Sequence, residues 1–178
     1  MEGSKKMSGK YNQDPIKETF LLGTRFPNRK SIAICMDSVR SQEYYEIVSA
    51  LYKKNTYDYD YMIFTSDNNS PALVNPCALY YYNYIEHYRG DALALTIRSA
   101  INLMQSGCIL NKKVWYISDI TGMKEISKSL PAICDFFDEI VFVNEHIRTI
   151  FLSFFPFLNE SKTSTDELDI MLLEKRFT

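Results

Sequence analysis

The chain has 178 residues, 46% of them hydrophobic, and a formal net charge of −2. This composition fits one folded domain and excludes a disordered chain, and the charge gives no electrostatic basis for nucleic acid as the main partner. No apolar stretch reaches the roughly 18–20 residues of a membrane span, and the polar N-terminus lacks the apolar core of a signal peptide. The sequence therefore predicts a soluble protein of the cytoplasm, which for a viral protein would be that of the host.

Four cysteines are spread widely along the chain, at Cys35, Cys77, Cys108 and Cys134, with no CxxC pair and only two histidines. This spacing does not support a zinc site. It predicts free thiols in a reducing compartment, although the even count leaves two disulfides open as an alternative.

The first part of the chain divides into a polar tail and the start of an α/β pattern. Residues 1–15 are predicted to be a flexible tail, or else a peptide that orders on a partner, and residues 16–178 a single domain. Apolar residues 31–36 predict a strand. Ser41 is the predicted N-cap of a helix that ends near Lys54, and a second strand is expected near 60–65.

The middle of the chain is ambiguous. Four of the residues 80–84 are tyrosines, which favours a strand or an exposed aromatic surface. After Gly90, the spacing of Leu95, Ala100 and Leu103 predicts a helix that ends at Gly107.

The last third of the chain continues the alternation. Residues 113–117 and 139–143 are predicted strands, separated by a short helix interrupted at Pro131. A helix follows the second of these strands and stops at Pro156, and a terminal helix is predicted from Thr165, with Ser164 and Glu167 as its capping box.

Alternating strands and helices predict an α/β fold, a Rossmann-like three-layer sandwich with a mostly parallel sheet. The strands at 31–36, 61–65, 113–117 and 139–143 should all run in the same direction because right-handed crossovers join parallel neighbours. Strand side chains alternate between the two faces, so Trp115 and Ile117 should face one side of the sheet and Val114 and Tyr116 the other.

Polar residues follow each predicted strand and should share the carboxyl edge of the sheet, where α/β proteins bind ligands. They are Asp37, Asp67, Asp119, Asn144 and Glu145. Each of them also suits the capping of the next helix. Asp37 and Asp67 leave Mg²⁺ open as an alternative, but no metal site is predicted.

Three common ligand motifs are absent from the sequence. The turn after the first strand, ICMDSVRS, contains no glycine and so cannot carry a GxGxxG dinucleotide fingerprint. There is also no GxxxxGK[ST] phosphate loop and no GxSxG nucleophile elbow.

The segments YRGDALALTIRSAINLM, KKVWYISDI and FFDEIVFVNEHI together resemble the N-terminal half of a GT-B-type glycosyltransferase, including the DNA-modifying kind found in phages. The resemblance covers about residues 31–155. It implies that Asp119 and Asn144 line an interdomain cleft on the acceptor side, and that Asp119 or Asp37 acts as general base on an acceptor hydroxyl.

The same resemblance implies a nucleotide sugar as donor substrate, bound mainly by a second domain. Since 178 residues accommodate only one such half, we expect either that a partner subunit supplies the other or that the fold is used without catalysis. Nucleic acid would enter only as a modified acceptor. Asp67, Asn144 and Glu145 are the residues expected to bind the cofactor or donor.

Two other functions fit the sequence. One is a nucleotide-binding regulator that uses the same sheet edge. The other is a non-enzymatic interaction or structural protein, such as a viral assembly protein, that contacts a different protein or a second copy through the terminal helix 165–177 and the tyrosines at 80–84. The alternative for that helix is burial inside the domain under the preceding segment FLSFFPFLNE.

Overall fold

The computed structural model describes residues 22–23, 28–53, 59–67, 78–169 and 175–177. The predicted tail at 1–15, Cys77 and the apolar residues 170–173 lie outside these ranges. Among the described residues, no helix is both long and apolar enough to cross a membrane.

The described residues form a seven-stranded, fully parallel sheet at the centre of the molecule, in the order β3-β2-β1-β4-β5-β6-β7. The strands are β1 Lys30–Met36, β2 Tyr59–Thr65, β3 Ala78–Tyr81, β4 Arg89–Ala94, β5 Ile109–Ile117, β6 Glu139–Phe142 and β7 Thr163–Thr165. The predicted fold class and the common direction of the four predicted strands are therefore confirmed. The first six strands follow the 3-2-1-4-5-6 order of doubly wound nucleotide-binding folds, in which the chain reverses its direction of travel between β1 and β4.

Helices cover both faces of the sheet. They are α1 Gln42–Lys53, α2 Ile97–Gln105, α3 Leu130–Phe136 and α4 Glu145–Phe154, with short 3₁₀ helices at Tyr82–His87 and Glu160–Lys162. The predicted cap of α1 is confirmed, because the Tyr44 amide donates a hydrogen bond to Ser41 Oγ at 3.2 Å.

The two faces of the sheet carry separate apolar cores. Trp115 and Ile117 belong to the core under α2, α3 and α4, whereas Val114 and Tyr116 belong to the core under α1. The predicted alternation of β5 side chains is confirmed. Three cysteines, Cys35, Cys108 and Cys134, are free thiols, as expected.

The structure contains a central strand, β4, that the sequence does not predict; the sequence pattern places Leu95 in a helix instead. In the structure Arg89–Ala94 is a strand between β1 and β5, and Leu95 lies between this strand and α2. Ala92, Leu93 and Ala94 suit a helix by propensity, but they are buried between two neighbouring strands, and this burial makes the segment a strand. The predicted end of α2 at Gly107 is confirmed, since this glycine has a φ of 68° one position after the C-cap.

Pro131 does not interrupt a helix. It lies in the first turn of α3, after a series of turns over 121–129. Proline is favourable there because the amides of a first helical turn have no partner within the helix. The tyrosine run is divided between two elements, since β3 ends at Tyr81 and the 3₁₀ helix begins at Tyr82.

The predicted terminal helix 165–177 is wrong over its first residues. Thr165 ends β7, and residues 166–169 have no helical structure. Ser164 does not cap a helix; its hydroxyl donates to Glu139 Oε1 at 3.0 Å, and β7 pairs with β6. Leu168 and Phe177 pack against the α1 face of the sheet, so these two apolar residues contribute to the core.

Candidate functional site

A crevice of about 640 Å³ lies at the carboxyl edge of the sheet, where the strand order reverses between β1 and β4. Its walls are the end of β1, the beginning of α2 and the segment 118–126 after β5. This is the position at which open α/β sheets bind their ligands.

Asp37 follows β1 directly and is half-buried in the crevice wall. Its Oδ1 accepts a hydrogen bond from Thr96 Oγ1 at 2.9 Å. Its main-chain oxygen accepts from Thr65 Oγ1 at 3.1 Å and from Ser66 Oγ at 2.9 Å, which fixes the turn after the strand. Oδ1 is thus held by a hydrogen bond, whereas Oδ2 accepts none from the residues that the structure describes.

Thr96 connects this carboxylate to α2. Its Oγ1 accepts from the Ser99 amide at 3.0 Å, and the Thr96 amide donates to Ser99 Oγ at 2.9 Å, so the two residues form a capping box. A hydroxyl has one proton to donate, and here the capping bond leaves that proton for Asp37. The start of α2 therefore orients the Asp37 carboxylate.

Asp119 lies on the other side of the crevice and is exposed. Its Oδ1 accepts from the Thr121 amide at 3.0 Å and from Thr121 Oγ1 at 2.8 Å. These hydrogen bonds stabilise the charged form and hold the pKa of Asp119 below its ordinary value. Asp119 is thus an ionised hydrogen-bond acceptor at neutral pH.

The crevice is acidic. Glu43 from α1 and Glu125 from the segment after β5 line it together with Asp37 and Asp119, and the one positive charge among its described lining residues is Arg98. Four carboxylates repel phosphate groups and favour ligands that donate hydrogen bonds, such as sugar hydroxyls. No group of three His, Cys, Asp or Glu side chains within the described ranges is arranged to hold a metal ion.

The other predicted site residues lie outside the crevice. Asp67 Oδ2 accepts from Ser38 Oγ at 3.0 Å, which ties the turn after β2 to the turn after β1. Asn144 caps α4, because its Oδ1 accepts from the Ile147 amide at 2.9 Å. Glu145 pairs with Arg148 at 2.8 Å. The structure thus brings Asp37 and Asp119 to one cavity, but not Asp67, Asn144 or Glu145.

Sequence reasoning missed Thr96 and Arg98 because it missed the strand that positions them. The signal was present: the apolar run 92–95 ends at Thr96, and Ser99 follows three residues later. An apolar run that ends in a capping residue is the same pattern that identified β1 and β5.

Comparison with protein-family models and with curated protein sequences finds no match for this chain.

Proposed function

We propose that the crevice binds a hydroxyl-bearing acceptor and that the chain is the acceptor-side half, or a partner-dependent subunit, of a GT-B-type glycosyltransferase. The observation that carries this proposal is the half-buried carboxylate of Asp37 at the reversal of strand order, with Oδ1 held by Thr96 at 2.9 Å. A general base needs an oriented carboxylate with one accessible oxygen.

In the proposed reaction, Asp37 Oδ2 removes the proton of an acceptor hydroxyl as its oxygen attacks the anomeric carbon of a nucleotide sugar. The bond from that carbon to the diphosphate breaks, and the nucleoside diphosphate leaves with the electron pair. Asp119, held ionised by Thr121, accepts a hydrogen bond from a second acceptor hydroxyl. The acidic crevice disfavours the diphosphate, so the donor would be bound elsewhere, by a partner subunit.

Ligand titration tests the acceptor part of this proposal. We expect neutral saccharides, such as glucose and maltose, to shift the amide resonances of Thr96 and Gly122 and to raise the melting temperature, since a ligand that binds only the folded state stabilises it. Asp37→Asn should weaken this binding several-fold. Asp67→Asn is the matched control, because Asp67 follows a strand at the same edge but does not line the crevice. Saccharides without effect on these resonances would contradict the proposal.

A panel of nucleotide sugars tests the donor part. The isolated chain should show little or no shift in melting temperature with these compounds, because its crevice is acidic. Tight binding of a nucleotide sugar in the crevice would favour the nucleotide-binding regulator instead.

A second candidate function is a non-enzymatic interaction protein. The observation in its favour is the exposure of Tyr81 and Tyr84, at 41% and 49%, at the edge strand β3 and the turn that follows it. Exposed aromatic residues are enriched in protein interfaces. If this surface contacts a second copy or a different protein, Tyr84→Ser should abolish an association detected by sedimentation, while Asp37→Asn should leave it unchanged.

A further inference from the structure

A second cavity, of about 370 Å³, lies between the segment 120–127 and the C-terminal end of α4. Its lining is largely apolar, and consists of Ile120, Gly122, Met123, Lys124, Ser127, Phe151, Phe154 and Phe155. It uses none of the residues assigned above to acceptor binding except the backbone at Gly122, which also lines the crevice.

Phenylalanine rings form one side of this cavity. Phe151 is fully buried, Phe155 is half-buried with its ring centroid 4.9 Å from that of Phe151, and the Phe154 ring lies 6.5 Å from that of Phe155. Phe154 is 67% exposed, which is unusual for so large an apolar side chain. The three rings thus extend from the buried core to the rim of the cavity, where most of the Phe154 side chain is exposed to solvent. Aromatic groups pair favourably at such centroid distances of about 4.5–7 Å.

Lys124 gives the cavity its charge. Among the described residues it is the only charged one in the lining, it is exposed, and it forms no ion pair with any of the others. The charge of this cavity is therefore opposite to that of the acidic crevice. A ligand that satisfies both parts carries an apolar ring and one negative group.

We propose that this cavity is a binding site for a small aromatic carboxylate, with its ring against Phe154 and Phe155 and its carboxylate near Lys124. The volume is at the lower end of the range of about 300–1,000 Å³ typical of ligand sites, which favours a single-ring ligand. This site does not depend on the proposed glycosyltransferase role.

Titration of the full chain with three related probes separates the contribution of the ring from that of the charge. Phenylacetate carries both, 2-phenylethanol carries the ring without the charge, and acetate carries the charge without the ring. We expect phenylacetate to give saturable shifts of the Gly122, Lys124 and Ser127 amide resonances. We expect 2-phenylethanol to bind about two- to fivefold more weakly, the effect of one exposed ion pair, and acetate to give no saturable shift.

Variants of exposed residues test the assignment without threatening the fold. Lys124→Gln should reduce the affinity for phenylacetate to that for 2-phenylethanol, and Phe154→Ala should weaken both probes by up to about tenfold. The matched controls are Lys128→Gln and Tyr45→Ala, which change an exposed lysine and an exposed aromatic residue outside the cavity lining. The controls should retain wild-type affinity.

Three results would overturn the inference. In the first, phenylacetate gives no saturable shift at the lining amides. In the second, the controls weaken binding as much as Lys124→Gln and Phe154→Ala do. In the third, sedimentation shows that the wild-type chain is a dimer which Phe154→Ala dissociates, because a second copy would then occupy the cavity.

Discussion

Asp37 and Asp119 are two carboxylates of one crevice with different surroundings. Asp37 is half-buried and shares one oxygen with Thr96, whereas Asp119 is exposed and accepts two hydrogen bonds from Thr121. The hydrogen bonds from Thr121 stabilise the charged form of Asp119 and lower its pKa, so Asp119 is a poor proton acceptor. In the proposed reaction, proton transfer is therefore placed at Asp37 and acceptor binding at Asp119.

Asp119→Asn should leave the fold nearly intact, because the amide oxygen can still accept from the Thr121 amide. We expect the free energy of unfolding to change by less than about 0.5 kcal/mol at neutral pH. The folded-state pKa of Asp119 is lowered, so its ionised form stabilises the wild type above the ordinary aspartate pKa of about 3.9. This contribution to the free energy of unfolding is lost as the pH falls through the lowered pKa. Asp119→Asn cannot ionise, so its stability should not show this decrease at acid pH. Chemical denaturation at several pH values measures both effects, and a large destabilisation at neutral pH would show that the residue is mainly structural.

Asp91 presents the opposite case. It is a buried carboxylate in β4, 7% exposed, with Oδ1 accepting from the Lys112 amide at 3.0 Å. Burial raises the pKa of Asp91. The hydrogen bond from the Lys112 amide and the charges of Lys30 and Lys112 lower this pKa, but by less than burial raises it. The folded state thus holds this proton more tightly than the unfolded state, so the wild type loses stability as the pH rises above about 3.9 and through the raised pKa.

Asp91→Asn should remove this loss, since asparagine keeps the oxygen that accepts from Lys112 but cannot ionise. The free energy of unfolding of the variant minus that of the wild type should therefore increase with pH across the window above about 3.9. Urea denaturation from acid to neutral pH measures it. If the difference in free energy of unfolding stays constant or decreases with pH, the charges of Lys30 and Lys112 fully offset the cost of burying ionised Asp91.

At the scale of elements, β5 illustrates how one strand combines an exposed start with a buried end. Trp115 is 1% exposed, and its ring centroid lies 5.7 Å from that of Phe137, in the connection between α3 and β6. Trp115→Ala should cost about 3–5 kcal/mol through lost transfer free energy and the cavity left behind. Ile109→Ala, at the exposed start of the same strand, should cost under about 0.5 kcal/mol. Denaturant titration of both variants is the measurement, and similar costs at the two positions would contradict the burial pattern of β5.

The sequence predicted β1, β2, β5 and β6 because each is an apolar run, too short for a helix, that ends in polar residues. It did not predict β4, whose first residues include Gly90 with a φ of 146° at a shift in register between β4 and β5. Whether an alanine-rich apolar run is a helix or a strand depends on its neighbours in the sheet, and those are not visible in local periodicity. The short β7 was missed for a similar reason, since a three-residue edge strand is defined by its pairing with β6.

The candidate site was predictable to the same extent as the strands that carry it. Asp37 and Asp119 were found because they follow predicted strands, and parallel strands bring their ends to one edge. Thr96 was not found because β4 was not. Asn144 and Glu145 follow a correctly predicted strand but lie outside the crevice, since distance along an edge depends on strand order, which the sequence did not specify.

At the scale of the whole molecule, the last described residues connect strands that are far apart in the sequence. Lys30 Nζ, at the start of β1, donates to the Phe177 oxygen at 3.0 Å, and the Lys112 ammonium contacts the main-chain oxygen of Arg176. The Arg176 guanidinium contacts Glu139, at the start of β6, and reaches Asp166 at 2.8 Å. The last described residues thus join β1, β5 and β6 to the segment that follows β7.

Arg176→Ala should therefore destabilise the fold without affecting the crevice. Removal of the guanidinium leaves Glu139 and Asp166 partly buried without this partner, at a cost of about 1–3 kcal/mol. Arg40→Ala is the matched control, since Arg40 is an exposed arginine with no ion pair among the described residues, and it should cost under about 0.5 kcal/mol. Saccharide-induced shifts at Thr96 should be the same in both variants because Arg176 and its partners do not line the crevice. Loss of those shifts in folded Arg176→Ala would show that the arginine network and the crevice are coupled through the strands.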